Sequence, residues 1–117
     1  MSNELSDRIF KFVIENINFI KGLEDTVEMR IIKQQLIKSV TSTGANYEEA
    51  QGAGSMADFN NKVRISLKEI RETNYWLRLL KEICANQNKD FEKIVNESDE
   101  LMRILGTIAS KTCRSRK

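Results

Sequence analysis

Apolar residues return every three or four positions in four separate stretches of the chain, the spacing that gathers side chains onto one face of an α-helix. The first stretch predicts a helix over about 6–22, capped by Ser6 or Asp7. Ile9, Phe10, Val13, Ile17 and Ile20 form its core face, Phe12 and Phe19 widen that face to one side, and Gly22 marks its end. After the polar link "LEDT", a second helix is expected over about 26–51, with Asp25 and Glu28 in the pattern of a reciprocal cap. Its stripe reads Met29, Ile32, Leu36, Val40, Thr43, Tyr47 and Ala50. The stripe passes through Gly44 without losing phase, so that glycine is expected inside the helix, where a neighbour approaches closely.

Gly52-Ala53-Gly54 ends the second helix and Ser55 caps the third, expected over about 56–86 with Asp58 in its first turn. Phe59, Val63, Ser66, Ile70, Thr73, Leu77, Leu80 and Cys84 line its core face. The polar run "NQNKD" breaks the chain again before a fourth helix over about 90–112. There Phe91, Ile94, Val95, Ser98, Leu101, Met102, Leu105, Ile108 and Ala109 keep a near-heptad register. Four amphipathic helices on short links predict an all-α fold, an antiparallel up-down-up-down four-helix bundle forming one domain over 1–117.

Composition agrees with that reading and removes most enzyme chemistry. The 117 residues include no proline and five glycines, so little forbids helix. There is no histidine, which takes away the commonest general base, the Ser-His and Cys-His pairs, and most zinc and di-iron ligand sets. The stretch "GAGSMA" spells Gly-x-Gly-x-x-Ala, but a dinucleotide site needs a strand before the first glycine, and "NYEEAQ" precedes it in helical phase. These glycines read as a helix stop and a turn. Glu69/Glu72 and Glu97/Glu100 have the i, i+3 spacing of di-iron bundles without the histidine that those sites require. No metal, no cofactor, no small-molecule substrate and no catalytic residue is expected. Asn46, beside the stripe of the second helix, is placed to pair with an acid across the bundle.

Cys84 and Cys113 form no CxxC pair and read as free thiols of a reducing cytosol. The start "MSNELSDRIF" lacks a signal-peptide pattern and no apolar run is long enough for a membrane span, so a cytoplasmic protein without membrane contact is expected. The net charge is only +2, so any affinity for nucleic acid must come from a local patch.

The third helix offers such a patch. Arg64, Lys68, Arg71, Tyr75 and Arg78 fall on one stripe opposite its core face, cations to follow a phosphate backbone and an aromatic to stack on a base. The plainer reading is a solvated face whose cations meet acids such as Glu72 and Glu82. A further stripe of Ile65, Trp76, Leu79 and Ile83, interrupted by Glu72, gives the helix more apolar surface than one core face needs. Either a wide core absorbs it or identical chains associate over it, with Trp76 as anchor and Phe12 and Phe19 of the first helix completing the contact. The tail "KTCRSRK" carries Lys111, Arg114, Arg116 and Lys117, which complement a helix C-terminus or form a basic arm.

From Thr43 to Leu80 the chain resembles the bacterial four-helix-bundle family first noticed in proteins encoded within intervening sequences of large-subunit ribosomal RNA genes. The resemblance rests on Gly44, Ala45, Asn46, Glu49, Ala50, Ser55, Asp58, Phe59, Lys62, Ser66, Leu67, Lys68, Glu69, Glu72, Thr73, Trp76 and Leu77. It implies an antiparallel four-helix bundle, a ring-shaped homopentamer and no known catalytic activity. Some members carry a ribosomal-protein label that reflects gene location. A related protein is the accessory subunit of diversity-generating retroelements, a basic pentamer that engages nucleic acid and a reverse transcriptase. Where many members place an arginine after the glycine of the second helix, this chain reads Ala53-Gly54-Ser55-Met56. The expected function is therefore that of a non-enzymatic, self-associating bundle binding RNA or a ribonucleoprotein through basic helix faces. The alternative is a protein-interaction scaffold with no nucleic-acid role.

Overall fold

The computed structural model describes residues 4–85 and 90–115, the last four of them as backbone alone. Four helices follow one another: α1 (Glu4–Lys21), α2 (Val27–Gln51), α3 (Met56–Ile83) and α4 (Phe91–Ser115). The chain is an all-α four-helix bundle, 49 Å long and 23 by 22 Å across, with no strand among the described residues. Each helix packs against the next in sequence, α2 on α3 and α3 on α4 most extensively. The seam between α1 and α4 that closes the bundle is the lightest.

Local chemistry sets the helix ends. Thr26 Oγ1 accepts from Met29 N at 3.2 Å, and Ser55 Oγ accepts from Asp58 N at 3.1 Å, each satisfying an amide that the first turn leaves without a helical partner. The cap of α2 is thus Thr26, one residue later than the Asp25–Glu28 pattern suggests, because Asp25 is taken by Arg30 at 2.8 Å. Helix α1 starts at Glu4, before the expected caps Ser6 and Asp7. Helix α3 ends at Ile83, with the amide of Cys84 donating to Leu80 O at 2.8 Å; residue 86, its expected end, lies outside the described residues.

The interior is a continuous apolar core in which Leu36, Val40, Val63, Ile70, Leu77, Leu80, Leu101 and Leu105 are wholly buried. Hydroxyl and amide side chains cross-link the helices inside it. Ser39 Oγ and Thr73 Oγ1 share a hydrogen bond of 2.8 Å, and Ser66 Oγ donates to Thr43 O at 2.7 Å, joining α2 to α3. On the other flank of α3, Asn74 Nδ2 donates to Ser98 Oγ and Asp99 Oδ1, both at 2.8 Å. Every one of these contacts has a single favoured alignment, so together they fix the antiparallel register at about 1 kcal/mol apiece. The contact expected of Asn46 is not made. Its amide donates to Ser42 O at 2.9 Å within α2, and Asn74 does the cross-bundle pairing instead.

Helix α1 is rotated from its expected phase. Phe12 is 1% exposed and Asn16 is fully buried, whereas Phe10, assigned to the core, is 69% exposed. A polar residue at the centre of the inward face hides that face from a hydrophobic pattern, so the apolar residues around it suggest a face turned by roughly 60° at about 100° per residue. The Asn16 amide nitrogen donates to Phe12 O at 2.8 Å, while its Oδ1 is buried without a hydrogen-bond partner among the described residues. An ion-pair cluster and a ring contact are among the contacts that tie α1 to α4. Arg8 forks onto Glu97 at 2.7 and 2.8 Å while also reaching Glu100 at 2.9 Å, and Phe19 meets Phe91 edge to face at 4.8 Å. The two carboxylates hold the Arg8 guanidinium above its ordinary pKa.

Gly44 is the close-packing point that its place in the stripe suggests, since a Cβ there would lie 3.0 Å from Val13 Cγ2 and 3.9 Å from Ile9 Cγ2. Gly106, inside α4, is different: a Cβ there would meet nothing within 4 Å. Gly44→Leu is therefore expected to destabilise the protein by about 1–3 kcal/mol through overpacking. Gly106→Ala should stabilise it by about 0.5–1 kcal/mol through helix propensity. Urea denaturation of the two variants beside the parent checks both signs.

Candidate nucleic-acid and self-association surfaces

Helix α3 positions both candidate surfaces because its core residues occupy only one side of it. With Val63, Ser66, Ile70, Thr73, Leu77 and Leu80 turned inward, the helical repeat forces Arg64, Lys68, Arg71, Tyr75 and Arg78 outward, and all five are exposed. Arg78 Nε donates to Asn74 Oδ1 at 2.9 Å, and its guanidinium carbon stands 5.9 Å from the centre of the Tyr75 ring. The Tyr75 ring in turn meets Trp76 edge to face at 5.0 Å.

Among the described residues, none of the four cations of this stripe pairs with a carboxylate. Several acids are committed elsewhere. Glu72 accepts from Trp76 Nε1 at 3.1 Å, Glu49 pairs with Lys62 at 2.9 Å, and Glu97 and Glu100 both hold Arg8. Glu72, one of the two acids expected to neutralise the stripe, faces the neighbouring apolar stripe, and Glu82 is exposed and has no ion pair among the described residues.

Between α3 and α4 runs an open groove of about 580 Å³, with Arg71 on one wall and Arg103 on the other, and Met102, Gly106, Thr107 and Ser110 between them. Its one acid, Asp99, is hydrogen-bonded by Asn74. A second groove of about 790 Å³ follows the lightly closed seam of α1 and α4, where Lys11, Glu15, Lys93 and the Arg8–Glu97 pair mix both charges around Phe19 and Ile94.

The apolar stripe of α3 divides between the subunit and its surface. Trp76 and Leu79 are partly buried against their own core, Ile65 is partly buried, and Ile83 is 49% exposed. Two residues not anticipated from the sequence join it. With Ser39 opposite Thr73, the antiparallel register brings Ile31 and Val27 of α2, both well exposed, alongside the turns of α3 that carry Leu79 and Ile83. The pattern does not mark them, because Val27 and Ile31 are a pair four residues apart whose flank continues with the polar Gln35 and Lys38, too short a run to read as a face. Phe12 does not complete this surface: it is buried in its own subunit, and a partner cannot reach it. Phe19 is half-buried and engaged with Phe91. A separate apolar strip, made of Phe10, Ile14 and Ile37, lies on the face formed by α1 and α2, and it exists because α1 is rotated.

The glycine motif does what its context suggests. Gly52 closes α2 by donating to Glu49 O at 3.1 Å, and the segment to Ser55 joins helix to helix. Among the described residues no group of three or more metal-ligating side chains comes together, and no helix is long and apolar enough to cross a membrane. Burial pushes the Cys84 thiol above its ordinary pKa. The side chains of Cys113, Arg114, Arg116 and Lys117 lie outside the described residues.

No curated protein matches the chain. Among solved structures, the chain is similar to a protein of unknown function from the S23 ribosomal protein family of Bacteroides thetaiotaomicron. The two share 36% identity and superpose with a TM-score of 0.78 over 90% of this chain and 97% of that one. The description of the 23S rRNA-intervening sequence proteins matches residues 2–107, nearly the whole bundle, and so the chain belongs to the 23S rRNA-intervening sequence protein family.

Proposed function

We propose that the protein is a non-enzymatic, ring-forming helical bundle that binds RNA through the outer face of α3. The observation that carries the RNA reading is the stripe Arg64, Lys68, Arg71 and Arg78, exposed, without carboxylate partners among the described residues, and interleaved with a half-exposed Tyr75. Arg78 is engaged with Asn74 and Tyr75, but Arg64, Lys68 and Arg71 make no side-chain hydrogen bond or ion pair among the described residues, and a polyanion that displaces their counterions gains affinity from all of them at once. Self-association rests on different residues. One apolar strip lies on the face of α2 and α3, and another lies on the adjoining face of α1 and α2. Two unlike patches on one chain favour head-to-tail contact, which closes into a ring when the rotation permits. Adjacent faces of a four-cornered bundle meet near a right angle, and that angle suits a ring of about four or five copies. The pentamer implied by the family resemblance falls within this range. Repetition of the basic face around such a ring raises avidity without any new kind of contact.

Two measurements test these readings. In filter binding at low salt, the parent should retain structured RNA. Replacing Lys68 and Arg71 together by alanine should weaken retention about tenfold or more, and affinity should fall steeply as salt rises. Absence of retention, or retention indifferent to salt, refutes the RNA reading. Cell partners that are unchanged by nuclease treatment would then favour the scaffold. For assembly, Ile83→Glu and Phe10→Glu are preferable to truncating Trp76, which also serves its own core. Light scattering should show that each variant alone is dissociated. An equimolar mixture should give heterodimers, because each retains the one sound face that the other lacks. A monomeric parent, or a mixture that stays monomeric, overturns the head-to-tail ring.

A further inference from the structure

Two glycines stand well inside helices, and only one has a packing reason. Gly44 is required by the approach of Val13. Gly106 has open space where its Cβ would be, although glycine is among the poorest helix formers. What its missing side chain does is deepen the groove between α3 and α4. Gly106 lies between Met102, Thr107 and Ser110, with Arg71 on the facing wall and Arg103 one turn away. The register fixed by Asn74 against Ser98 and Asp99 makes α3 and α4 antiparallel, so Lys68 and Arg64, both exposed, continue from Arg71 along the outer face of α3 toward the level of Ser110. Tyr75 stands one turn beyond Arg71 in the other direction and is half exposed.

We propose that a single-stranded RNA segment lies in this groove, its phosphates held between Arg71 and Arg103 and a base stacked on Tyr75, with Gly106 keeping the floor open for the strand. The inference rests on the RNA reading above. It adds a second wall, a floor and a strand state. Helix axes packed about 8–10 Å apart leave a furrow that admits one strand and is too narrow for a duplex. Arg103 has no ion pair among the described residues, and the one acid of the groove, Asp99, is already accepting from Asn74. The hydroxyls of Thr107 and Ser110 supply donors and acceptors suited to a ribose and its phosphate. The aromatic at one end separates a nucleic acid from an acidic peptide, which has nothing to stack.

The test is fluorescence anisotropy with a labelled oligouridylate about eight nucleotides long, on the full chain and at low salt. Gly106→Leu fills the floor without disturbing the interior and should melt no lower than the parent, yet bind about tenfold or more weakly. Arg103→Glu should lose a similar factor, and neutralising this residue should flatten the slope of log affinity against log salt by about 0.7 for one phosphate contact. Lys21→Glu carries the same charge change on an exposed site at the end of α1 and should shift binding no more than about twofold. If the parent binds and both groove variants bind as it does, while replacing Arg64 and Lys68 together by alanine abolishes binding, the groove is wrong and the RNA reading stands. If the parent binds no RNA, both fall. Equal competition by a duplex of the same sequence removes the single-strand assignment, and equal binding of an oligoglutamate removes RNA as the ligand.

Discussion

The structure depends on one helix being gripped from two sides. Helix α3 presents Ser66 and Thr73 to α2 and Asn74 to α4, and each of these small polar groups finds a partner at one alignment only. An apolar core built from Leu, Ile and Val would tolerate sliding by a turn at modest cost, because one leucine replaces another. A buried hydroxyl or amide that loses its partner costs about 1–3 kcal/mol, which makes the slipped arrangements expensive. Register is therefore set by polar atoms within an interior whose stability comes from apolar ones. Once α3 is fixed, so are the faces it turns to solvent. The basic stripe, the groove against α4 and the apolar strip shared with α2 are three consequences of a single rotational setting.

Helices α2, α3 and α4 were legible in the sequence almost residue by residue, including Thr43, Ser66, Thr73 and Ser98 on the inward stripes, all of which are buried. Their apolar spacing is regular enough to carry a few polar members without losing phase. Helix α1 was not legible to the same degree. Asn16 occupies the centre of its inward face, and Phe10 and Ile17 off that face are apolar, so the pattern favours the wrong direction. What replaces the missing apolar signal is local, the hydrogen bond from Asn16 to Phe12 O, and local bonds of this kind leave no periodic trace.

The surfaces were legible only where a single helix carries them. Arg64 to Arg78 lie on one stripe of α3, and periodicity alone shows that they share a face. Arg103 and Gly106 belong to α4, and they meet that stripe only because Asn74 aligns with Ser98. The same limitation kept the pair Val27 and Ile31 from being read as part of a face that continues onto α3. Spacing along one helix gives faces. Which faces become neighbours follows from the register, and the register rests on a handful of hydrogen bonds between residue types found anywhere in a sequence.

Net charge misleads here for a related reason. Nineteen cations against seventeen acids suggest a nearly neutral surface, but the acids are spent unevenly. Glu97 and Glu100 converge on Arg8, Glu49 holds Lys62, Asp25 holds Arg30, Glu72 turns to Trp76 and Asp99 to Asn74. Most of these engagements stitch helix ends and seams together, on α1, on α2 and along the flanks of α3. Removing their charge from the outer face of α3 leaves its cations as the unbalanced remainder, over about 21 Å of helix between Arg64 and Arg78. Within a Debye length of about 8 Å at physiological salt, a ligand senses that remainder and not the sum over the molecule. The interactions that hold the bundle together are thus also what concentrates its positive field, and weakening them would change the fold and the potential at the groove together.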